Sequence, residues 1–564
     1  MEPVEPNREQ SPSAHVDTFA RDHLPPPDQW PLLPGLAALG YPDRLNCGAE
    51  LLDRTVERFG AARPAFRSLQ GGTETVWSYG ELQARVDHIA HVLVDELDLV
   101  PGNRVLLRGP NSPQLAACWL AVMKAGGVAV TVLAAQRPHE LRTICEIARV
   151  SHALCDARAL EGLYRAEVPG LRITAFGAEG GENAESAEGV DGLLPAGLPE
   201  HRPFTPVPTA ADDVALIAFT SGTTGRPKGC VHFHRDVLAI ADTFSAQVLR
   251  PEPDDVFAGS PPLGFTFGLG GLVIFPLRAG ASAVLEQWSG AEQMLEAVRR
   301  HRISVLFTAP TAYRGMLAEL AAGEARGTPY DLSPLRRCVS AGENLSATTW
   351  QDWYEGTGLR LINGIGATEM LHIFIAAADE RIRPGTTGLP VPGFEACVLR
   401  PGAGTELVPV ADGEPGLLAV RGPVGCRYLD DERQLDYVQH GWNITGDTYV
   451  REPDGYFRYV ARADDMIISA GYNVPGPEVE EALLRHPDVV EAAVVGRPDE
   501  RRGQVVVAHV VLRQGAAQGP ETAESLRKFT ATELVPYKCP REIIFTEALP
   551  RTATGKVQRF RLRD

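Results

Sequence analysis

The clearest periodic stretch of the sequence lies between residues 78 and 96. Its hydrophobic side chains recur at intervals of four, three and four residues, which is the spacing of one face of an α-helix. Ser78 and Glu81 have the spacing of a capping box, in which two side chains satisfy free backbone N–H groups at the start of a helix. The pattern predicts a helix over 78–96, whose buried face carries Leu82, Val86, Ile89 and Leu93.

After this helix, short apolar runs alternate with longer amphipathic stretches. Short apolar runs rich in β-branched residues predict buried strands, and the stretches between them predict helices. The predicted order is strand 104–108, helix 114–125, strand 128–133, helix 138–150 and strand 152–156. Alternation of this kind is typical of parallel βαβ units, so we expect a large, layered α/β domain.

The pattern changes further along the chain. Residues 177–192 are acidic, rich in glycine and unperiodic, which predicts a disordered surface loop. The α/β pattern then resumes and continues to about residue 400, and residues 414–459 form a compact β region of short strands and turns.

The C-terminal part of the chain has its own pattern from residue 466 onward. The predicted elements are a helix at 477–485, strands at 492–495 and 505–512, and a helix at 523–534. This mixture predicts a small α+β domain. We therefore divide the chain into an N-terminal domain (1–463) and a mobile C-terminal domain (464–564), with the boundary near Arg462.

The charge of the 564-residue chain restricts its partners. It has 54 basic and 72 acidic residues, a formal net charge of −18. Such an excess of negative charge disfavours nucleic acid or an anionic membrane as the main partner. Any phosphate group must then be held by backbone amides and a few well-placed cations.

Cysteine spacing and hydropathy favour a reducing cytoplasm. The nine cysteines are scattered singly, without a C-x-x-C pair, which disfavours structural zinc and disulfides. The first residues are polar and acidic and lack an apolar leader core. The longest apolar stretch, 115–135, is interrupted by Lys124 and two glycines, so it fits a helix followed by a strand better than a membrane span.

A loop rich in glycine and hydroxyl side chains follows the apolar run 214–219. Glycines let backbone N–H groups approach a phosphate, hydroxyls add donors, and a lysine adds positive charge. The glycine and lysine spacing is not that of a P-loop, and in isolation the loop is equally consistent with a flexible turn. The candidate phosphate-binding residues are Thr220, Ser221, Gly222, Thr223, Thr224, Gly225 and Lys228.

Four further motifs follow this loop in order: LINGIGATEM (361–370), GWNITGD (441–447), ARADDMIISAGYNV (461–474) and LPRTATGK (549–556). Together, the five motifs resemble those of the adenylate-forming superfamily, which contains acyl-CoA synthetases, luciferases and peptide-synthetase adenylation domains. The resemblance implies that a carboxylate attacks the α-phosphate of ATP, releasing pyrophosphate, and that a thiol such as that of coenzyme A then displaces AMP.

The resemblance also implies roles for the motif residues. The loop at 220–228 would hold the β- and γ-phosphates, Thr368 would contact the α-phosphate, and Glu369 would hold Mg²⁺. Asp447 would accept both ribose hydroxyls. Tyr459 and Arg462 would contact the ribose or the nucleotide face, and the adenine site would comprise Ser340, Ala341, Gly342, Glu343, Asn363, Gly364, Ile365 and Gly366.

Three C-terminal residues would serve the two half-reactions. Lys556 would be the catalytic cation of adenylation, Asp464 the hinge about which the C-terminal domain turns, and Gly471 part of the tunnel for coenzyme A. The family's Gly-Arg before the hinge is Ala461-Arg462 here, a small departure because the arginine is retained.

The segments 261–272 and 368–375 resemble those of benzoate and 2-aminobenzoate CoA ligases, and the N-terminal sequence 15–26 fits the 2-aminobenzoate branch. Flat apolar walls suit an aromatic ring. The resemblance implies an aryl pocket formed by Phe265, Thr266, Phe267, His372 and Ile373. The two phenylalanines are alternatively ordinary core residues, and benzoate and salicylate remain alternative acids.

Other interpretations stay open at this stage. The acceptor thiol is that of coenzyme A or of a carrier protein, and the chain forms a monomer or a homodimer. A nucleotide-binding protein without catalysis and a luciferase-like oxygenase are more distant alternatives. His232 and His234 alternate on a predicted strand, but a third metal ligand at suitable spacing is missing, which favours ordinary strand histidines over a metal pair.

Overall fold

The structure is a computed structural model. It describes residues 10–70, 73–177, 193, 197–198, 200–220, 226–288, 290–401, 407–469, 472–499, 502–552 and 556–563. Of the predicted disordered loop at 177–192, residue 177 is described and residues 178–192 lie outside the described residues.

The strands of the described residues are numbered in chain order. They are β1 (Pro64–Gln70), β2 (Thr73–Ser78), β3 (Arg104–Gly109), β4 (Val128–Leu133), β5 (His152–Asp156), β6 (Arg172–Phe176), β7 (Val214–Thr220), β8 (Lys228–Phe233), β9 (Val256–Gly259), β10 (Ser282–Val284), β11 (Val305–Thr308), β12 (Arg337–Ser340), β13 (Leu361–Gly366), β14 (Ile373–Ala376), β15 (Leu389–Pro390), β16 (Glu395–Leu399), β17 (Pro415–Arg421), β18 (Val438–Gln439), β19 (Trp442–Arg451), β20 (Phe457–Arg462), β21 (Ile467–Ser469), β22 (Tyr472–Val474), β23 (Val489–Asp499), β24 (Gly503–Leu512) and β25 (Glu542–Phe545).

The helices connect these strands and cover the sheets. The α-helices are Phe19–Asp22, Cys47–Leu51, Asp53–Phe59, Tyr79–His91, Pro113–Lys124, Pro138–Ala148, Leu160–Tyr164, His234–Ile240, Thr266–Leu269, Phe275–Ala279, Ala291–His301, Pro310–Ala325, Ala347–Thr357, Gln434–Tyr437, Gly476–Leu484 and Pro520–Glu533. Wider π-helical turns span Val92–Glu96, Ala241–Leu249 and Gly270–Ile274. Short 3-10 turns span Pro27–Gln29, Ala37–Leu39, Ala157–Ala159, Thr368–Met370, Asp379–Arg381, Ala463–Asp465 and Arg559–Leu562.

A six-stranded sheet carries the first βαβ units, in the order β6-β5-β3-β4-β7-β8. All neighbouring pairs are parallel except β7 with β8. The helices Pro113–Lys124 and Pro138–Ala148 connect β3 to β4 and β4 to β5. The predicted alternation over 104–156 is confirmed, and the mixed α/β class with it.

The first predicted helix is confirmed as Tyr79–His91, extended by a π-helical turn to Glu96. The Ser78 hydroxyl accepts the Glu81 backbone N–H at 3.2 Å, and the Glu81 carboxylate accepts the Ser78 backbone N–H at 2.8 Å. The capping box therefore forms as its spacing predicts.

A second sheet has nine strands, in the order β15-β14-β13-β12-β11-β9-β10-β1-β2. Strands β11, β12 and β13 run parallel, with Thr308 opposite Ser340 and Ser340 opposite Asn363. Because parallel strands end at the same edge, their carboxyl ends bring three chain segments together there.

The antiparallel β region contains β16 to β20. It begins at Glu395, upstream of the predicted start at residue 414, because β16 pairs with β17 along its whole length. Strands β19 and β20 place Asp447 opposite Arg462.

The C-terminal sheet has the order β22-β21-β24-β23, with β25 pairing with β24. Its helices Gly476–Leu484 and Pro520–Glu533 pack beside it around a small apolar core that includes Val479, Leu483 and Leu526. The predicted α+β character of this part of the chain is confirmed. Among the described residues, no helix has both the length and the apolar character that a membrane crossing requires.

The N-terminal strap (residues 11–32) crosses several parts of the large domain. The Ala14 backbone N–H donates to Asp213 at 2.9 Å, and Asp17 pairs with Arg104. The Leu32 N–H donates to the Gly441 carbonyl at 2.9 Å. Gln434 donates from its side chain to the Gln29 carbonyl, also at 2.9 Å, across 405 residues of sequence.

Candidate active site

The candidate phosphate loop lies between two paired strands. Thr220 ends β7 and Lys228 begins β8, and the two residues are opposite each other in the register. The Thr220 hydroxyl is buried and has no hydrogen-bond partner among the described residues. The predicted phosphate ligands Ser221, Gly222, Thr223, Thr224 and Gly225 lie outside the described residues.

Lys228 is joined to Glu369 through a tyrosine. Its ammonium donates to the Tyr428 hydroxyl at 2.7 Å, and that hydroxyl donates to Glu369 Oε1 at 2.6 Å. Lys228 Nζ itself is 3.7 Å from Glu369 Oε1 and 4.5 Å from the centre of the Tyr428 ring. A cation, a phenol and a carboxylate thus form one chain of charge-assisted hydrogen bonds. Sequence reasoning found both ends of this chain and missed Tyr428.

Thr368 and Glu369 form a buried turn after β13. Glu369 is only 8% exposed. The backbone carbonyl of Thr368 accepts a hydrogen bond from His232 Nε2 at 2.7 Å. Burial lowers the pKa of His232 to about 4, so the imidazole is neutral and donates as a simple N–H group. His232 therefore fixes the backbone on which the two predicted catalytic residues lie.

The two alternating histidines have different structural positions. His232 lies on β8, as predicted, whereas His234 begins the helix His234–Ile240 rather than continuing the strand, so its predicted strand position is wrong. The Asp236 carboxylate accepts the Phe233 N–H at 3.0 Å and starts the helix there. His234 Nδ1 accepts the Cys47 N–H at 3.2 Å.

The predicted adenine-site residues lie at the carboxyl ends of β12 and β13. Ala341 is buried and Gly342 is exposed, with a φ of +87° and open space where a side chain would stand. Glu343 bonds in two other directions: its Oε1 accepts from Arg551 at 2.7 Å, and its Oε2 accepts the Thr311 hydroxyl proton.

The second group of adenine-site candidates lies on β13 itself. The Asn363 amide donates to the Thr386 carbonyl at 3.1 Å. Gly364 is buried against Ile373, Ile365 packs on the main core, and Gly366 is exposed at the strand end.

Asp447 lies where β19 meets β20, facing Arg462. The Arg462 guanidinium donates to Asp447 Oδ1 at 3.3 Å and to the Thr445 carbonyl at 3.2 Å. Burial raises the pKa of the Asp447 carboxyl, while the positive charges of Arg462 and Lys556 oppose that rise. Tyr459 packs edge-on against Tyr449, with ring centres 5.5 Å apart. The three predicted ribose-site residues therefore lie on one pair of strands.

Lys556, which follows the C-terminal sheet in the chain, lies at the same site. Its side chain still reaches solvent, yet the surrounding protein removes enough hydration to lower the pKa of its ammonium. The carboxylates of Asp447, Glu369 and Glu343 oppose that loss, with Asp447 contributing most. The structure thus brings Lys556 into electrostatic reach of residues far from it in sequence.

The predicted aryl-pocket residues form one cluster. His372 is 3% exposed and its ring lies 4.6 Å from that of Phe275 and 5.6 Å from that of Phe267. Thr266 and Phe267 are buried and Ile373 follows His372 on β14, whereas Phe265 is half-buried with the Lys556 ammonium 6.0 Å from its ring centre. Phe267 also belongs to the main apolar core.

The His372 imidazole has a defined proton arrangement. Burial lowers its pKa to about 3, so the ring is neutral. Its Nε2 lies 3.4 Å from the Phe267 carbonyl oxygen, and since a carbonyl only accepts, Nε2 carries the proton. Nδ1 is then an acceptor, and it is buried without a hydrogen-bond partner among the described residues.

The predicted hinge and the predicted coenzyme A tunnel are the two remaining positions. The backbone of Asp464 lies in the turn Ala463–Asp465, directly after β20, and Gly471 lies outside the described residues.

Comparison with known proteins gives matches along most of the chain. A family model described as AMP-binding enzyme matches residues 52–428, and one described as AMP-binding enzyme C-terminal domain matches residues 478–556. Among curated relatives, the benzoate–CoA ligase of Thauera aromatica is 33% identical over 537 residues, which cover 93% of this chain and 97% of that protein. The 3-hydroxybenzoate–CoA ligase of Aromatoleum sp. (strain CIB) is 32% identical, covering 93% and 99%.

Two solved structures of aryl acid–CoA ligases have the same fold as this chain. An anthranilate CoA ligase in complex with anthranoyl-AMP superposes with a TM-score of 0.84 at 30% identity, covering 93% of this chain and 98% of that one. A benzoate CoA ligase from Burkholderia xenovorans LB400 superposes with a TM-score of 0.81, also at 30% identity, covering 92% and 100%.

Proposed function

Because the chain belongs to the AMP-binding enzyme family and is an AMP-forming aryl acid–CoA ligase, we propose that its acid is 2-aminobenzoate. The observation that carries this choice is the neutral His372 imidazole, whose Nδ1 is a buried acceptor without a partner among the described residues. An ortho amino group offers the N–H donor that this nitrogen lacks. The relative with bound anthranoyl-AMP supports the same acid.

Adenylation would take place at the site formed by Glu369, Asp447 and Lys556. A carboxylate oxygen of the acid forms a bond to the α-phosphorus of ATP, and the bond to the β-phosphate oxygen breaks, releasing pyrophosphate. Negative charge grows on the oxygens around the α-phosphorus, so fixed donors and cations lower the barrier. Lys556 and the Thr368 hydroxyl supply them at the α-phosphate, and Lys228 with the 220–225 loop holds the departing pyrophosphate.

Glu369 is suited to hold the Mg²⁺ that accompanies ATP. Mg²⁺ binds oxygen ligands and usually combines one or two carboxylates with phosphate oxygens and water. Glu369 supplies one buried carboxylate, fixed at one oxygen by the Tyr428 hydroxyl. The cation would neutralise phosphate charge, while the protein residues position it.

The nucleoside would be held along the β19–β20 strand pair. Asp447 accepts the ribose hydroxyls, and Arg462 and Tyr459 lie beside it on β20. Ala341, Gly342 and the β13 residues Asn363, Gly364, Ile365 and Gly366 lie at the two strand ends that would border the adenine.

The second half-reaction would use coenzyme A. Its thiolate attacks the acyl carbon of the aryl-adenylate, and AMP leaves as the thioester forms. We propose that residues 464–564 turn as a domain about Asp464 relative to residues 1–463, which withdraws Lys556 and brings Gly471 to the site.

The test incubates the protein with ATP, Mg²⁺ and coenzyme A, with 2-aminobenzoate, benzoate, salicylate or 3-hydroxybenzoate supplied in turn, and identifies products by mass spectrometry. We expect 2-aminobenzoyl-CoA and AMP to form fastest. Faster turnover of another acid would contradict the substrate assignment. An aryl-adenylate that accumulates without reaching coenzyme A would contradict the acceptor and favour a carrier protein.

His372→Leu tests the physical reason for the choice. Leucine is an apolar side chain of similar size that removes Nδ1, together with the Nε2–H facing the Phe267 carbonyl. The preference for 2-aminobenzoate over benzoate should therefore fall about tenfold. Val273→Leu, a change in the apolar core that also contains Phe267 and Ile373, controls for repacking. Equal losses for both acids in His372→Leu would show that Nδ1 does not recognise the amino group.

A further inference from the structure

We propose that the ion pair between Arg551 and Glu343 is a positioning device that holds Lys556 in the site during adenylation. This inference rests on the proposed role of Lys556. It gives Glu343 a task other than lining the adenine site, and it assigns a role to Arg551, which sequence reasoning did not single out.

The ion pair crosses between the two parts of the chain. Arg551 Nη1 donates to Glu343 Oε1 at 2.7 Å, across 208 residues of sequence. Arg551 Nη2 donates to Glu491 Oε2, on β23, at 2.9 Å. The side chains of Arg551 and Glu343 are only 22% and 16% exposed. A charge-assisted bond shielded to this degree is stronger than an exposed ion pair.

Glu343 is held firmly on its own side of the interface. Its Oε2 accepts the hydroxyl proton of Thr311, which lies in the first turn of the helix Pro310–Ala325. Arg314, one turn later in that helix, donates to the Thr311 hydroxyl oxygen at 3.2 Å. Both carboxylate oxygens of Glu343 are therefore engaged, and the carboxylate is a fixed acceptor for Arg551.

Arg551 is coupled to Lys556 by backbone contacts. Arg551 and Val557 form an antiparallel bridge. The Thr552 N–H donates to the Lys556 carbonyl at 2.8 Å, and the Lys556 N–H donates to the Thr552 hydroxyl oxygen at 3.1 Å. A shift of Arg551 therefore moves Lys556 with it.

The position of Lys556 thus depends on a contact that lies outside the reacting atoms. When the ion pair is broken, a smaller fraction of the molecules holds Lys556 at the α-phosphate. The apparent rate of adenylation falls in proportion to that fraction. The thioester step, which does not require Lys556 in this place, keeps its rate.

The experiment measures the two half-reactions separately in the full-length enzyme. Adenylation is followed by aryl acid-dependent pyrophosphate release, and thioester formation by the reaction of supplied aryl-adenylate with coenzyme A. We expect Glu343→Gln and Arg551→Gln each to lower the adenylation rate about tenfold or more, with the KM for the acid unchanged. In Arg551→Gln, which lies outside the predicted adenine site, thioester formation should stay within about threefold of wild type.

A double-mutant cycle and a matched control sharpen the result. Glu343→Gln/Arg551→Gln should lose no more than the larger single variant, since both changes remove one interaction. Glu491→Gln alters the other ion pair of the same arginine, which lies within the C-terminal sheet, and should change adenylation less than about threefold. Arg551→Lys, which keeps the charge, should recover part of the loss.

Several outcomes would overturn the inference. Equal losses of rate in the two half-reactions would indicate a general structural role. A loss in the double variant equal to the product of the two single losses would indicate that the residues act separately. If Lys556→Ala abolishes adenylation while Glu343→Gln and Arg551→Gln do not, the positioning role fails and the proposed function stands. If Lys556→Ala leaves adenylation intact, the positioning role is wrong, and so is the catalytic role of Lys556 in the proposed function.

Discussion

At the scale of single residues, the hydroxyl of Tyr428 separates a cation from a carboxylate. It accepts from Lys228 and donates to Glu369, with both bonds shorter than 2.8 Å. Without this hydroxyl, the ion pair between Lys228 and Glu369, which is 3.7 Å long, would be free to shorten to a direct hydrogen bond. Such a contact would occupy both the ammonium that we propose binds phosphate and the carboxylate that we propose binds Mg²⁺.

Tyr428→Phe should therefore weaken the use of MgATP. We expect the KM for MgATP to rise, or the adenylation rate to fall, by about tenfold, because one charge-assisted bond is lost to each of two groups. Steady-state pyrophosphate release, measured against ATP and Mg²⁺ concentration, checks this. Tyr437→Phe is the control, since its ring lies 5.7 Å from Lys228 and its aromatic contact is kept; an equal effect would deny Tyr428 a special role.

Lys556→Ala should separate the two half-reactions. The ammonium lies within electrostatic reach of Asp447 and Glu369, as a cation for the α-phosphate should. We expect loss of aryl-adenylate formation by at least about a hundredfold, with thioester formation from supplied adenylate retained. Equal loss of the two steps would contradict a role confined to adenylation.

Contiguous motifs carried most of the residue predictions. Thr368, Glu369, Asp447 and Lys556 were predicted from short segments, and the structure brings Glu369 and Asp447 within electrostatic reach of Lys556. Tyr428 and the Arg551–Glu343 pair were missed because their partners are 59 and 208 residues away, respectively. Only the tertiary fold specifies contacts across such separations.

At the scale of elements, the pattern of alternation predicted the sheets but not every boundary. The run ending at His234 alternates like a strand, yet the Asp236 carboxylate accepts the Phe233 N–H and turns the chain into a helix. Such caps satisfy the free N–H groups of a helix start and outweigh local strand preference. Neighbours along the chain set this boundary, but the apolar pattern alone does not reveal it.

Ser78→Ala should remove the capping box from the helix Tyr79–His91. The serine hydroxyl accepts the Glu81 N–H, and its loss should cost about 1 kcal/mol of stability. The thermal unfolding midpoint, compared at one heating rate, should fall, while aryl-CoA formation at lower temperature stays unchanged. Thr143→Ala, which removes a hydroxyl bonded to the His139 carbonyl in its own helix, should have little effect. A midpoint equal to wild type in Ser78→Ala would show that tertiary packing alone holds this helix.

At the scale of the whole molecule, buried neutral histidines link stability to pH. Burial lowers the pKa of His232 to about 4 and the pKa of His234 and of His372 to about 3. Unfolding returns each pKa to about 6.5, so the unfolded chain binds more protons below that value. Their stabilising effect is complete above pH 6.5 and is lost as the pH falls toward 4.

We therefore expect the free energy of unfolding to fall by about 2 kcal/mol for each of these histidines between pH 7 and pH 5. Urea unfolding at the two pH values measures the loss. His234→Asn keeps an acceptor for the Cys47 N–H and removes one titrating group, so the loss should be smaller in that variant. A pH dependence equal to wild type would show that His234 does not contribute.

The N-terminal strap has a consequence for how the protein is made. Its partners include Asp213, Gln434 and Gly441, so residues of the strap bond to residues that are translated hundreds of positions later. The contacts with Gln434 and Gly441 cannot form until those residues have been translated, and contacts of such long sequence separation form slowly. Completion of the large domain thus awaits the translation of its β region, and a nascent chain stalled before residue 434 lacks the contacts of the strap with Gln434 and Gly441.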